Sequence, residues 1–290
     1  MNRKKLSKKG IIVLICIAAV IAATVLWIAW DNSVLEVNRI TLASPDLPEP
    51  FDGYLIAQVS DLHNAEKGSG NAELLEILSE CRPDIIALTG DIIDSRRTDV
   101  DVAVDFVSEA VKIAPCYYVT GNHEQRVTGD FDKLEEELEA LGVNLLRDRK
   151  MTLEREGSSI SVVGIDDPVF LTPEELLEGA DLHVAQKLDR LVGQDEGFTL
   201  LLSHRPELFD VYCEYEIDLV LSGHAHGGQF RLPFIGGLYA PGQGLLPEYT
   251  SGLYTASETS MIVSRGIGES LFPFRVNNRP EVVLTELKCE

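Results

Sequence analysis

A chain of 290 residues, 45% hydrophobic and 25% charged, has enough apolar material for a full globular core and is neither fibrous nor low in complexity. Its formal net charge of −22 repels nucleic-acid backbones and argues against non-specific DNA or RNA binding. The cysteines Cys16, Cys81, Cys116, Cys213 and Cys289 form no close pair, so neither a zinc finger nor a small-domain disulfide framework is expected, and the thiols read as buried or incidental.

Residues 1–10 form a basic tail with Arg3, Lys4, Lys5, Lys8 and Lys9, and no acid occurs among the first 30 residues. Residues 11–30 carry no charge, and a helix of that length rises about 30 Å, the thickness of a bilayer's hydrocarbon. The expectation is a transmembrane anchor in the cell membrane, with a cytoplasmic N-terminus and the bulk of the chain extracytoplasmic, because basic flanks stay inside. Trp27 and Trp30, the only two Trp, sit at the outer end, where aromatic rings favour the interface. A cleaved signal peptide has an apolar stretch of about 7–15 residues, whereas here the run continues from Val25 to Trp30 past the small Ala22 and Ala23. Bulky Ile15 before Cys16 argues against lipid attachment there. Taking the tail's five basic residues from 25 leaves 20 against 47 acids, so the outer part carries −27.

Residues 31–53 read as a linker, with alternation over 34–42 suggesting an edge strand and a Pro-rich loop over 44–53. One large domain is then expected over 54–290. Short apolar runs at 54–60, 84–89 and 117–120 read as buried strands. Between them, residues 72–80 and 100–113 have helical spacing, the second with Ala103, Phe106, Val107, Ala110 and Val111 on one face. Phe131, Leu134, Leu138 and Leu141 mark a further helix closed by Gly142. Further strands are expected at 160–165, 198–203 and 217–222, with a helix starting at the Thr172, Pro173, Glu175 capping box. From 229 onward the pattern is β-rich and loop-rich, with strands over 260–264 and 281–287. Strand–helix alternation predicts an α/β core, whose ligands gather at the carboxyl ends of strands.

Five strands run straight into potential metal ligands. They lead to Asp61-Leu62-His63, to Gly90-Asp91, to Gly121-Asn122-His123-Glu124, to His204, and to Gly223-His224-Ala225-His226. Alone, an Asp after a strand is commonly a cap or turn former, and a lone His a structural hydrogen bonder. Together they gather five of the six histidines; His183 lies apart and reads as a surface residue. Mixed imidazole and carboxylate donors suit Zn, Mn or Fe, an amide oxygen adds a ligand without charge, and neighbouring glycines let the chain turn sharply.

These motifs, in this order, resemble the calcineurin-like metallophosphoesterases, over about residues 54–228. The surrounding segments 60–64, 89–94, 226–233 and 265–268 further resemble the bacterial phosphodiesterase branch that is anchored to or exported across the membrane. The resemblance implies a four-layer sandwich of two packed mixed β-sheets flanked by helices. It implies two divalent metal ions: one held by Asp61, His63 and His226, the other by Asn122, His204 and His224, with Asp91 bridging. His123 would be catalytic without ligating metal, stabilising phosphoryl oxygens or protonating the leaving group. The attacking group would be a bridging hydroxide, without a covalent phospho-enzyme. Arg96, Arg97 and Arg205 read equally as contacts to substrate phosphate or as solvated surface residues, and Asp166 and Asp167 read as turn residues.

The expected function is hydrolysis of a phosphate ester, a phosphodiester first, with a lipid or envelope phosphate suggested by location. The competing reading is a membrane-tethered protein whose metals serve structure alone, and His123 between Asn122 and Glu124 argues against it. Metal hydrolases of lactams or thioesters usually carry a denser His-x-His-x-Asp-His cluster, absent here.

Overall fold

The apolar run folds as one helix, α1 (Lys8–Ser33), in the computed structural model, which describes residues 7–193, 197–270 and 272–290. Ser7 caps its start by accepting from the Gly10 amide at 3.1 Å. It is long and apolar enough to cross a membrane by length and composition, and its apolar side chains face outward, Leu26 being 70% exposed.

Behind it come two six-stranded sheets. The first has the order β1 (Glu36–Ser44), β16 (Glu281–Cys289), β2 (Leu55–Val59), β3 (Ile85–Thr89), β4 (Cys116–Val119), β5 (Asn144–Leu145). The second has the order β14 (Gly252–Ala256), β15 (Thr259–Val263), β9 (Leu219–Ser222), β8 (Thr199–Leu202), β7 (Ser158–Gly164), β6 (Arg149–Arg155). Both are mixed: β2, β3, β4 and β5 run parallel while β16 is antiparallel to β2, and β6 and β14 are the antiparallel edges of the second sheet. Two short ribbons, β10 (Arg231–Leu232) with β11 (Gly236–Gly237) and β12 (Tyr239–Ala240) with β13 (Gly244–Leu245), project from the segment after β9.

The strands pack because their apolar runs are buried on both faces. Ile56, Ala87, Leu200, Leu221 and Ile262 fill the space between the sheets. On the outer face of the first sheet, α2 (Ala72–Cys81), α3 (Val100–Ala110) and α5 (Thr128–Ala140) bury Leu74, Leu78, Phe106, Leu134 and Leu138. On the outer face of the second, α7 (Ala180–Leu191) and α8 (Phe209–Cys213) bury Val184, Leu188 and Tyr212. The expected four-layer α/β sandwich is therefore the fold. Gly142 closes α5 with φ +80°, its amide and that of Val143 returning to the Glu139 and Leu138 carbonyls. The Thr172 capping box opens α6 (Pro173–Glu178), but Gly179 breaks the helix before α7. All five cysteines are free thiols, and Cys81 and Cys213 lie in opposite outer layers, too far apart to pair.

Two features escape the sequence pattern. Strand β6 reads Arg-Lys-Met-Thr-Leu-Glu-Arg and is largely exposed, the charged dressing of an edge strand, so no apolar run announces it. The C-terminal strand inserts between β1 and β2, in a register that aligns Asn38, Val283, Gln58, Ala87 and Tyr117 across the sheet.

Leu200 is fully buried between the sheets, so Leu200→Ala should cost about 2–5 kcal/mol in urea unfolding of the detergent-solubilised chain. Leu177, 88% exposed, should change stability by less than about 0.5 kcal/mol on the same substitution.

Candidate metal centre

Strands β2, β3 and β4 of one sheet and β8 and β9 of the other deliver their carboxyl ends to one place. The turns that follow are tight. Asp61, His63, Asp91, His224 and His226 all adopt left-handed backbone, with φ of 51°, 49°, 52°, 63° and 47°. That conformation is costly for residues with a side chain and persists only where neighbours over-determine it. Here the backbone is pinned: the Asp61 and His63 amides donate to the Gly90 and Asp91 carbonyls, and the Gly223 amide to that of His204. Gly121 is required by space, since a Cβ there would lie 2.2 Å from Asp91 Oδ1.

The seven predicted ligands are all buried. Asp61, His63 and His226 each bring a ligand atom within 4.8 Å of one another, as do Asp91, His204 and His224. His63 Nε2 and His226 Nε2 lie 3.2 Å apart, with Asp61 Oδ1 3.2 Å from the latter. His204 Nε2 lies 3.2 Å from His224 Nδ1 and 3.3 Å from Asp91 Oδ2. Asp91 Oδ2 is also 3.7 Å from His63 Nε2, so this carboxylate stands between the two groups. Asn122 Oδ1 is buried and has no hydrogen-bond partner among the described residues. An orphaned amide oxygen beside two imidazole–carboxylate groups fits a metal donor set.

Protonation favours the same use. Burial lowers His63 to about 3 and holds His224 and His226 well below the usual imidazole range, leaving neutral rings with free lone pairs. His204 would be lowered by burial too, but the Asp91 carboxylate outweighs this and raises it to about 10. His204 Nδ1 donates to the Thr89 carbonyl at 2.8 Å, which turns Nε2 to the centre, where it donates to Asp91 and would give up that proton on binding a metal. Burial pushes Asp61 up to about 6.

His123 opens α4 (Asn122–Gln125) beside the centre, its ring edge-on to His63 at 4.4 Å. Its amide donates to Asp91 Oδ1 at 2.7 Å. Its Nδ1 accepts from the Ser95 amide at 3.0 Å, which leaves the ring proton on Nε2. Burial lowers its pKa, so it is a neutral N–H donor near pH 7.

A cavity of about 270 Å³ opens over Asp91, Asn122, His123, His224 and His226. Arg96 and Arg205 line it as expected, Arg96 held by Asp94 at 3.1 Å and Arg205 by Asp167 at 3.0 Å. Arg97 does not line it; its side chain is 73% exposed near Glu269. Asp166 and Asp167 follow β7 in a turn, but they also anchor cations: Arg147 binds Asp166 at 2.8 Å and Arg205 binds Asp167. His183 is half-buried in the outer layer, 3.0 Å from Glu178.

The family model for calcineurin-like phosphoesterase matches residues 54–228, which include every one of these strand ends. The chain belongs to that family. It is 32% identical over 89% of its length to an uncharacterised metallophosphoesterase, YkuE of Bacillus subtilis (strain 168), covering 87% of that protein. It is 29% identical to the phosphodiesterase YaeI of Escherichia coli (strain K12), over 72% of each chain. It is 30% identical to a transmembrane protein with metallophosphoesterase domain of Danio rerio, over 87% of this chain and 57% of that one. As a metallophosphoesterase, it is a metal-dependent hydrolase by family, and its candidate ligand groups are those just described.

Four residues contribute to this metallophosphoesterase site in ways the sequence does not show. Glu124 reads as part of the Gly-Asn-His-Glu motif, yet it does not face the ligands. It accepts from the Asp91, Ile92 and Gly121 amides at 3.1, 2.8 and 2.9 Å, tying the β3 and β4 turns together. Ser95 orients His123 through its amide, and Asp94 stands beside it holding Arg96. Arg275, 49 residues beyond His226, lies fully buried with Nη2 3.5 Å from that ring.

Gly121→Ala should drive the new methyl into Asp91 and lower bound metal, read by elemental analysis of the purified chain. Unchanged metal content with an unchanged fold would refute the assigned crowding.

Proposed function

We propose that this chain is a two-metal phosphoesterase, with domain 54–290 tethered to the membrane by an uncleaved α1 and a cytoplasmic N-terminus. One observation carries the catalytic reading: two imidazole–carboxylate groups that meet at Asp91, with the unpartnered Asn122 Oδ1 beside them. Asp61, His63 and His226 would hold one ion, Asn122, His204 and His224 the other, and Asp91 both. The donor set suits Mn, Zn or Fe. Divalent ions there supply Lewis acidity, a lowered pKa for an attacking water and a clamp on phosphoryl oxygens.

The chain's own residues do the rest. His123 offers its Nε2–H to a developing phosphoryl charge or a leaving oxygen, and the Ser95 amide keeps the ring aimed. Arg96, Arg126 and Arg205 line the cavity and meet the peripheral oxygens of the ester. The diester preference is supported by the name of the YaeI relative and by the open, cation-lined cleft. A lipid or envelope phosphate ester follows from tethering. The helix α1 and the relatives named as transmembrane proteins support the anchor.

The wild type should hydrolyse bis-p-nitrophenyl phosphate with Mn or Zn, and Asp91→Ala should not; equal rates would sink the reading. His123→Ala should keep its metal and lose about 10²–10⁴-fold in turnover. A metal-loaded wild type without turnover on any phosphate ester would favour a purely structural metal. The anchor predicts that the protein resists alkaline carbonate extraction and that its intact mass includes residues 1–30. A mature chain starting after that segment would refute the anchor.

A further inference from the structure

The site lies at the anchor end of the molecule. Strand β1 starts two residues after α1, and the aligned row Asn38, Val283, Gln58, Ala87, Tyr117 shows which ends of β2, β3 and β4 share its level. Because β16 is parallel to β1 and antiparallel to β2, the carboxyl end of β2 points back toward α1. Asp61 follows Gln58 by three residues, about 10 Å of strand.

Direct contacts say the same. Asn32, in the last turn of α1, accepts from the Arg275 amide at 2.7 Å and donates to its carbonyl at 2.8 Å. The guanidinium of Arg275 is the one that reaches His226. A single residue therefore spans from the helix to a predicted ligand. Lys67 Nζ donates to the Asn32 carbonyl at 3.0 Å, and Arg279 pairs with Asp31 at 2.7 Å while its guanidinium lies over the Trp30 ring at 4.9 Å.

The loop before Arg275 goes deeper. Pro273 and Phe274 line a groove of about 460 Å³ with Val25, Ile28 and Ala29 of α1. Val25 lies five residues inside Trp30, about 7.5 Å along the helix. A segment at the depth of Val25 passes the level where Trp rings mark the interface of a membrane crossed by α1. Its side chains suit that place: Phe272 is 46% and Phe274 39% exposed, and both rings flank Phe230, at 5.2 and 5.6 Å. Gln229 donates to the Phe272 and Phe274 carbonyls, fixing the loop to the segment that carries His226. Outside α1, eight of the thirteen exposed large apolar side chains among the described residues lie in this loop and the adjoining ribbon segments, including Phe234 and Ile235. Water exposure of such a patch is unfavourable, and patches of this kind mark interaction surfaces. Ser270, on the same loop, lines the mouth of the catalytic cavity.

We infer that the 272–274 loop is a membrane-docking rim, inserted among lipid acyl chains beside α1, which seats the mouth of the site at the bilayer surface. The inference rests on α1 being the anchor argued above and names the substrate's setting: phosphate esters reach this centre from the membrane–water interface. The rim is shallow, like the apolar face of an interfacial helix, so docking depth is on the order of 5–10 Å.

The test uses the full chain in phosphatidylcholine–phosphatidylglycerol vesicles whose acyl chains are brominated near the headgroup. In a Trp27→Phe, Trp30→Phe background, Phe272→Trp and Phe274→Trp each place one fluorophore on the rim, and Glu258→Trp places one at the far end, in the β14–β15 turn. Quenching of the two rim probes with no loss for Glu258→Trp is the expected result. Unquenched rim probes overturn the inference, and so does equal quenching at Glu258→Trp. A thermal melt of each variant verifies its fold. The native chain, with both Trp in α1, reports insertion of the anchor separately, and bis-p-nitrophenyl phosphate turnover reports the catalytic reading separately. Failure of the rim is thus distinguishable from failure of either.

Discussion

The site depends on one carboxylate, Asp91, and on the many groups that must agree about where it stands. Its Oδ2 faces His204 from the second sheet and His63 from the first; its Oδ1 accepts the His123 amide; its own amide donates to Glu124, and its carbonyl accepts from His63. Each sheet thus reads its alignment from the same residue. A further cross-tie keeps the sheets in register just beneath it: Gln58 Nε2 donates to Thr89 Oγ1 at 3.0 Å and to the Ser222 carbonyl at 2.8 Å, fully buried. In a low-dielectric interior such a network is stiff, because displacing a member unpairs a further buried polar group at a cost of about 1–3 kcal/mol. Stiffness is what a metal site needs, because donor atoms must converge before an ion arrives.

Convergence carries a cost in backbone strain. Five of the seven predicted ligands hold left-handed backbone, each at roughly 1–3 kcal/mol for a residue with a side chain. The charges are strained as well. Asp61 is pushed up by burial, which the charge of His204, shared with Asp91, offsets only in part. Glu124, raised to about 8 first by burial and then by the Asp91 charge, sits close behind them. Strain and uncompensated carboxylates cluster where they would relax on binding cations, so stability and metal content should be linked. The rest of the fold tolerates this because its own core is ordinary: apolar strands buried on both faces, with amphipathic helices outside.

Much of this was legible in sequence, for a physical reason. A buried strand is a short apolar run, and a ligand at its carboxyl end follows it directly, so sequence adjacency stands in for spatial convergence at Asp61, Asp91, Asn122, His204 and His224. What stayed hidden lacks that adjacency. Arg275 reaches His226 from a loop 49 residues on, with no periodic pattern around it. Glu124 is displayed by its motif, but only coordinates reveal that it serves backbone amides. Asp166 and Asp167 look like turn formers and are, yet their second task, anchoring Arg147 and Arg205, depends on partners from other elements. The four-layer arrangement came from family resemblance; the strand pattern alone fits a doubly wound sheet equally well. The insertion of β16 between β1 and β2 is a pairing choice that no local pattern encodes.

Net charge brings these strands together. Beyond α1 the chain is strongly acidic, and an anionic ester approaching it meets a repulsive field. The cations at the cavity do little to reverse this unaided, since Arg96 is matched by Asp94 and Arg205 by Asp167 and Glu207. The histidines are held neutral by burial, His204 excepted. Beyond Arg126, which also lines the cavity, attraction of phosphate would come mainly from ions in the proposed centre, the largest local charges such a site can hold. An apo chain and a loaded one would then differ in substrate affinity as well as in chemistry. Ions in the proposed centre would give this acidic surface a positive focus for a phosphate group, at the end of the fold from which α1 departs.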